Sequence, residues 1–357
     1  METTSALKAS LNRQPRSCSY GDVDDPNALI FWVLMAAQGD TAAVICPEQN
    51  ERLIQITVVD AGSSAGQPLL AHGAATFNDL LKARGFPGPT SAAAATGVVA
   101  SDGHTAPVGL AGVAGAGGAP HTAPAAVAAA AGRHTVRVRA IITHPDKDHK
   151  DMLQGLLAQW AETCAARGIA FEVEYILMGG AADDVAKFSV TIGEKKTAAL
   201  PFNGGEQCLG TSDCLHGTGV PAPAFSRWCG PADVVFDVPW ANKGSNSNDK
   251  SAVLTVTRDD FTHAFVGDGY QGGQPRSYSY GRYLADLGKG AGGVCPAKGG
   301  DVPIFQLPVE GRLHVTSLHL AHHGSGRTDI SKLSADFQLS DVNIVAMSVP
   351  AMGPSLR

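Results

Sequence analysis

The chain has 357 residues, 44% of them hydrophobic and 17% charged, and its formal net charge is −6. This length and apolar fraction predict a substantial core, in one large α/β domain or two small ones. The acidic balance disfavours a general nucleic-acid-binding protein, which usually carries a basic face. It does not exclude a nuclease, because bound divalent cations would change the local field.

The first 27 residues are predicted to form an N-terminal tail in front of one domain over residues 28–357. Residues 1–22 mix Ser, Lys, Arg and Asn and lack the apolar core of a signal peptide. No stretch of the sequence approaches the roughly 18 uninterrupted apolar residues that cross a membrane. We therefore expect a cytoplasmic protein without membrane association, and the sequence leaves its oligomeric state open.

The first part of the domain is predicted to contain strands followed by an insertion. Buried strands are predicted over residues 28–34, 41–46 and 54–60, and Asp60 ends the third of them, directly before a sharp turn. Residues from about 88 to 132 are mostly Ala, Gly, Pro, Thr and Val, without a period of two or of 3.6. We expect them to form a disordered, low-complexity insertion at the surface.

An α/β unit follows the insertion. Its elements are a strand over residues 135–142, a helix over 150–167 and a strand over 171–178. Further strands are predicted over residues 234–238, 252–256, 263–266, 313–320 and 342–347. Two successive strand-rich halves are compatible with a sandwich of two sheets.

Four potential metal ligands occur within six residues, after the first strand of that unit: His144, Asp146, Asp148 and His149. A strand end followed by a tight, Pro-containing loop can direct such side chains to one point. Imidazole together with carboxylate suits Zn²⁺, Mn²⁺ or Fe better than Ca²⁺ or Mg²⁺. The simpler alternative is a solvated polar loop with an Asp at the helix N-terminus.

Two other predicted strands also end in residues of the ligand type. Asp268 follows the strand over residues 263–266, and His322 with His323 follows the strand over 313–320. Three such clusters are not expected by chance, which favours a metal site over the solvated loop.

The order of these motifs resembles that of hydrolases with the metallo-β-lactamase fold. The matching segments are Asp60-Ala-Gly, His144-x-Asp-x-Asp-His149, Gly267-Asp268 and His322-His-Gly-Ser325. They are most similar to the ComEC-like subgroup, related to the hydrolase domain of that competence protein. This subgroup has His-Pro-Asp-x-Asp-His where the wider superfamily has His-x-His-x-Asp-His. It also has an Asn-rich strand start, which residues 246–254 match.

The resemblance implies an α/β (α+β) fold, arranged as a four-layer αββα sandwich.

The resemblance also implies which residues would hold metal ions. His144 and Asp146 would help to hold one ion, and Asp148 and His149 a second ion. Asp268 is similar to the carboxylate that bridges the two ions in the family. The expected ions are two Zn²⁺, with Mn²⁺ or Fe as alternatives.

Other residues receive supporting roles from the resemblance. Of the two late histidines, His323 is preferred as the metal ligand, and His322 as the proton donor or substrate contact. Asp60 is expected to orient a ligand imidazole without binding the metal itself.

These roles imply a metal-dependent hydrolase that uses a metal-bound hydroxide on a phosphodiester or related ester. A lactone, amide or thioester is a less favoured substrate. Asp148 and Asp268 would orient the nucleophile, and His322 or His323 would assist the leaving group. A nucleic-acid substrate is compatible with this chemistry, although the net charge does not indicate it.

Two other hypotheses remain open at this stage. The wider family has another His between the first helix and the bridging Asp. Neither His216, predicted in a loop, nor His263, predicted at a strand start, matches that position. The chain could therefore be a catalytically degenerate member of the fold that serves as a binding or scaffold protein.

A structural zinc near residues 208–229 is the weakest hypothesis, because the loosely spaced Cys208, Cys214 and Cys229 include no CxxC pair.

Overall fold

The structure is a computed structural model that describes part of the chain. His216, His322 and His323 lie outside the described residues, as do Cys208, Cys214 and the predicted insertion from residue 90 onward. The described residues are 18–20, 23–34, 39–47, 52–63, 67–89, 134–202, 227–229, 234–241, 247–248, 250–270, 296–297, 300–301, 312–319, 328–342 and 344–346.

The described elements alternate between strands and a few helices. The strands of the first half are β1 (Cys18–Tyr20), β2 (Ile30–Val33), β3 (Thr41–Ile45), β4 (Leu53–Ala61), β5 (Thr135–Ile142), β6 (Ala170–Met178), β7 (Ser189–Ile192) and β8 (Lys195–Pro201). Those of the second half are β9 (Arg227–Cys229), β10 (Val235–Trp240), β11 (Val253–Arg258), β12 (Phe261–Phe265), β13 (Pro296–Ala297), β14 (Gly300–Asp301), β15 (Leu313–His314), β16 (Ser317–His319), β17 (Phe337–Gln338) and β18 (Ile344–Ala346). The helices are α1 (Gln67–Ala83), α2 (Lys147–Lys150), α3 (Leu153–Ala165), α4 (Ala182–Lys187), α5 (Ile330–Asp336) and a 3-10 turn (Leu339–Asp341).

Two large mixed sheets contain most of these strands, while β13 pairs with β14 and β15 with β17 in two small sheets. The first large sheet has the order β1-β2-β3-β4-β5-β6-β8-β7, and its inner strands β4, β5, β6 and β8 run parallel. The second has the order β18-β16-β12-β11-β10-β9, in which β12, β16 and β18 run parallel. Inner parallel strands are buried on both faces, which explains the continuous apolar runs at the ends of β4, β5 and β6. The chain is therefore a mixed α/β protein, as the sequence predicts.

Three clusters of buried apolar side chains form the core. In the first cluster, helices α1 and α3 pack on one face of the first sheet, with Leu80, Leu156 and Trp160 against strand residues such as Val138. The second cluster contains residues of both sheets, which are Phe31, Val44, Val59, Ile141, Leu177, Phe236, Leu254 and Phe265 among others. The third cluster joins Val253 and Ala264 of the second sheet to Leu333 in helix α5.

The strands predicted from alternation and apolar runs are confirmed, with ends that differ by a few residues. The predicted helix over 150–167 is confirmed as α3, over Leu153–Ala165. The short helix α2 precedes it, and between the two helices the N–H of Met152 donates to the carbonyl of Ala61 at the end of β4. The predicted strand over 313–320 is instead two short strands, β15 and β16. Helix α1 and the β7–β8 hairpin were not predicted. No helix within the described ranges is long and apolar enough to cross a membrane.

Candidate metal centre

The motif loop places two imidazoles in the interior. Strand β5 ends at Ile142, so His144 lies two residues beyond its carboxyl end, and His149 lies on α2. Both imidazole side chains have no exposed surface. Asp146 occupies the N-terminal position of α2 but makes no side-chain hydrogen bond to the helix. The simpler hypothesis of a solvated loop with a capping Asp therefore does not account for this segment.

The second sheet contributes a carboxylate to the same point. Asp268 lies three residues beyond the end of β12 and is almost completely buried. Its Oδ1 is 3.4 Å from Nε2 of His149, and its Oδ2 is 3.9 Å from Nε2 of His144. One ligand atom from each of the three residues lies within 4.8 Å of the other two. The predicted association of Asp268 with the two histidines is therefore present in the fold.

These distances suit a divalent cation among the three side chains. Ligand atoms about 2.0 Å from a tetrahedral cation lie about 3.3 Å from one another. The separations of 3.4 and 3.9 Å, each measured to a different oxygen of Asp268, are close to that value. Two imidazoles and one carboxylate are a set of ligands that occurs in catalytic Zn²⁺ sites and in non-haem Fe²⁺ sites.

Asp60 holds Thr143 and His149 in place through hydrogen bonds to its carboxylate. Its carboxylate accepts hydrogen bonds from the backbone N–H of Thr143 (2.7 Å), the Thr143 hydroxyl (2.8 Å) and Nδ1 of His149 (2.9 Å). Because an ionised carboxylate only accepts, Nδ1 of His149 carries a proton, which leaves Nε2, on the side of Asp268, as the nitrogen that would bind a cation. Oγ1 of Thr143 lies 3.2 Å from Nδ1 of His144 and imposes the same tautomer there, since its own proton goes to Asp60.

The charges around His149 favour its protonated form when no cation is present. Burial by itself lowers the pKa of this imidazole, but attraction to Asp60 and hydrogen bonds with Asp268 and Asp60 outweigh burial. The net effect raises its pKa well above the usual value. A cation bound at Nε2 would replace that proton and meet the same two carboxylates.

Nε2 of His144 is fully buried and makes no hydrogen bond among the described residues. Its nearest charged neighbours are carboxylate oxygens of Asp146 and Asp268, at 3.7 and 3.9 Å. Leaving a buried polar atom without a partner costs about 1–3 kcal/mol, which a bound cation would recover. This atom, together with the set of ligands, indicates that the site fits a metal ion.

The two aspartates of the motif loop stand at the edge of this group. Oδ2 of Asp146 is 3.7 Å from Nε2 of His144, while 45% of the Asp146 side chain is exposed. Its interaction with His144 lowers the pKa of the Asp146 carboxyl. Asp148 lies on α2, partly buried, and belongs to neither close group of ligand atoms found among the described residues. Its role as a ligand of a second ion stays a prediction.

A second close group contains Asp40, Asp60 and His149. Its atoms already bond to protein partners, since Asp60 accepts from His149 and Oδ1 of Asp40 lies 2.9 Å from Nε2 of His319. This group is therefore better described as a hydrogen-bond network behind the metal ligands. Asp40 and His319 were not predicted from the sequence as residues of the site. The available signals were a Gly-Asp pair directly before a predicted buried strand and a His near the end of another predicted strand.

His263 does not supply the additional histidine of the wider family. It lies within β12, stacks on Phe31 with ring centroids 4.6 Å apart, and its Nδ1 is 2.8 Å from the Ser317 hydroxyl. Burial, followed by the charge of His319, lowers the pKa of His263 well below its usual value. His263 is therefore a neutral imidazole in the core between the sheets.

The arrangement can hold one divalent cation between three buried protein ligands, with a fixed imidazole tautomer. His322 and His323 lie outside the described residues, as do Cys208 and Cys214 of the zinc hypothesis.

In comparisons with known proteins, no family model matches the sequence, and no curated protein matches it either.

Proposed function

We propose that the protein is a metal-dependent hydrolase of the metallo-β-lactamase fold, similar to the ComEC-like subgroup. The observation that carries the proposal is the approach of His144, His149 and Asp268, whose ligand atoms lie within 4.8 Å of one another. These residues follow strands of two different sheets, more than 100 positions apart in sequence. A chance polar cluster does not account for buried imidazoles of fixed tautomer that face a buried carboxylate.

The proposed architecture is the four-layer αββα sandwich. Helices α1 and α3 pack on the outer face of the first sheet, and the two sheets share one apolar cluster. Helix α5 packs with the second sheet through Leu333. This sequence of layers supports the sandwich and brings the ends of β5 and β12 to the same site.

A cation in this site would lower the pKa of a water molecule and polarise a scissile ester. The protein residues would fix its position: His144, His149 and Asp268 as ligands, and Asp60 and Thr143 as the groups that orient the imidazoles. The exposed part of Asp146 marks the side open to solvent, from which a substrate would approach. His323 as a fourth ligand and His322 as the proton donor remain part of the proposal.

A phosphodiester is the favoured substrate class. Lys147 is exposed at the start of α2, next to Asp146, and offers a positive charge to a phosphate near the site. Nζ of Lys150 donates to the carbonyl of Pro145 and stabilises the motif loop. The other substrates compatible with this chemistry are carboxylic esters, lactones, amides and thioesters.

The test combines metal analysis with activity assays. Purified protein loaded with Zn²⁺, Mn²⁺ or Fe²⁺ is assayed on bis-p-nitrophenyl phosphate, DNA and nitrocefin, beside a His144→Ala variant. We expect bound metal and phosphodiester hydrolysis that both disappear in the variant. The Asp79→Ala variant, altered at an exposed ion pair with Lys82, is the matched control. Absence of metal from the intact protein would contradict the proposal.

The second candidate is a degenerate member of the fold that binds metal without catalysis. It is favoured by Asp148, which the family places at the second ion but which belongs to neither close group among the described residues. An Asp148→Ala variant that keeps its metal and its cellular role would support this candidate. Loss of hydrolysis in that variant, with the first metal retained, would reject it.

A further inference from the structure

Asp40 lies where two strands of the first sheet, β3 and β4, meet helix α2. It lies between Gly39 and the start of β3 and is buried. Its backbone N–H donates to the carbonyl of Asp148 in α2 (2.9 Å), and its carbonyl accepts from the N–H of Gly62 after β4 (3.0 Å). The backbone of Asp40 thus connects the helix that carries His149 to the strand end that carries Asp60.

The contact between these segments leaves no room for side chains. A Cβ atom at Gly62 would lie 1.9 Å from the carbonyl carbon of Asp148, and one at Gly39 would lie 2.3 Å from the carbonyl oxygen of Gly62. Backbone packing at this distance fixes α2 relative to β3 and β4. A displacement of Asp40 is therefore transmitted directly to α2 and His149.

The side chain of Asp40 reaches the second sheet. Its Oδ1 lies 2.9 Å from Nε2 of His319, the last residue of β16, and both side chains are buried. His319 pairs with Phe265, the last residue of β12, and Asp268 follows three residues later. The hydrogen bond therefore spans the two sheets beside the strand that leads to the carboxylate ligand.

The structure assigns a positioning role to the Asp40–His319 pair: it holds the two sheets at the separation that lets His144 and His149 share a cation with Asp268. This inference rests on the proposed metal function. The ligand atoms come from both sheets, so a relative shift of the sheets would change the separations of 3.4 and 3.9 Å directly. Rigid connections that cross the sheets near the site limit such a shift.

A competing role for Asp40 is direct metal binding through the group that contains Asp60 and His149. The two roles make different demands on the side chain. A positioning residue needs only an acceptor for the Nε2 proton of His319, which an amide oxygen supplies. A metal ligand at this position needs the carboxylate itself. Asp40→Asn therefore separates the two roles, while Asp40→Ala abolishes both.

The experiment compares the full-length protein with Asp40→Asn, Asp40→Ala and Trp160→Phe. The last variant removes a buried hydrogen bond to Gly73 in the helical layer and controls for a general loss of stability. Zn²⁺ affinity is measured by competition with a chromophoric chelator, and the ligand geometry by the absorption spectrum of the Co²⁺ form. We expect Asp40→Ala to bind Zn²⁺ about 10- to 100-fold more weakly, with a changed Co²⁺ spectrum. Asp40→Asn and Trp160→Phe are expected to retain the affinity and the spectrum.

Each outcome decides one question. Wild-type affinity and spectrum in Asp40→Ala would overturn the positioning role, and equal damage in Asp40→Asn and Asp40→Ala would replace it with metal ligation. If Asp40→Ala does not fold, the Asp40→Leu/His319→Phe double variant removes both polar groups without leaving one unpaired. Weak Zn²⁺ binding by this folded variant supports the inference, and wild-type binding overturns it. Wild-type protein without any Zn²⁺ binding would defeat the proposed function instead.

Discussion

Asp60 is the residue on which both buried imidazoles depend. It accepts three hydrogen bonds, two from Thr143 and one from His149, and its backbone has the unusual φ of 55°. A non-glycine residue holds this conformation only where the surrounding contacts impose it. Here those contacts direct the carboxylate towards the motif loop, where it sets the tautomer of the imidazoles that are proposed as ligands.

Replacement of Asp60 by Ala is expected to weaken metal binding without removing a ligand. His149 would lose the acceptor for its Nδ1 proton, and loss of such a partner reduces metal affinity about 10- to 100-fold. Zn²⁺ affinity measured by chelator competition checks this expectation. The Asp79→Ala variant should bind Zn²⁺ as the wild type does, because Asp79 lies in an exposed helical ion pair. Unchanged affinity in Asp60→Ala would contradict the orienting role.

The raised pKa of His149 predicts opposite pH dependences for the metal-free and metal-loaded protein. A folded-state pKa above the unfolded value of about 6.5 adds stability below that pH, and this stability is lost as the pH rises through the folded pKa. With metal bound, the proton is displaced, so stability should instead increase with pH.

Thermal unfolding at several pH values, in EDTA and in Zn²⁺, measures both trends. The His149→Gln variant should lose the part of each trend that the imidazole supplies. Identical pH profiles with and without metal would show that a cation does not compete with this proton.

The elements around the site differ in how far their sequence determines them. Strands β4, β5 and β12 follow from apolar runs that end in Asp60, His144 and Asp268, so the main ligand group was predictable. Helix α1 was not, because Gly73 interrupts its pattern. A Cβ at Gly73 would lie 2.5 Å from Cδ1 of Leu156 in α3, so the glycine lets the two helices pack closely without a shift of that leucine.

Long-range contacts explain the other differences. Between α2 and α3, Met152 donates a hydrogen bond to Ala61, and the Asp40–His319 bond joins residues 279 positions apart. Local periodicity carries no information about such pairs. The position of Asp148 at the edge of the group is equally a consequence of how α2 packs on Gly62.

The close packing of α2 on the end of β4 is testable with a single methyl group. Gly62→Ala would insert a Cβ against the backbone of Asp148, which no side-chain rotation can relieve, and we expect a loss of about 3 kcal/mol or more in stability. Gly88→Ala is the matched control, because nothing lies within 4 Å of a Cβ there and its φ is not in the left-handed region. Chemical denaturation compares the two variants. Equal stability would contradict the packing.

The two large sheets of the described residues contact each other through an apolar cluster and the Asp40–His319 bond, and the proposed cation would add a third connection. The apolar cluster stabilises the contact between the sheets but is non-directional, whereas ligand bonds tolerate only small displacements. Metal binding should therefore stabilise the arrangement of the two sheets as well as the motif loop.

Saturation with Zn²⁺ is accordingly expected to raise the unfolding temperature of the whole domain, and EDTA should reverse the rise. At a free metal concentration about 1,000-fold above Kd, linkage adds about 4 kcal/mol to the free energy of unfolding. The Asp268→Ala variant keeps the two histidines but removes the ligand from the second sheet, so most of this gain should disappear. A rise as large in Asp268→Ala as in the wild type would locate the cation within the first sheet alone. The gain therefore measures whether the ion bridges the sheets, independently of any catalytic assay.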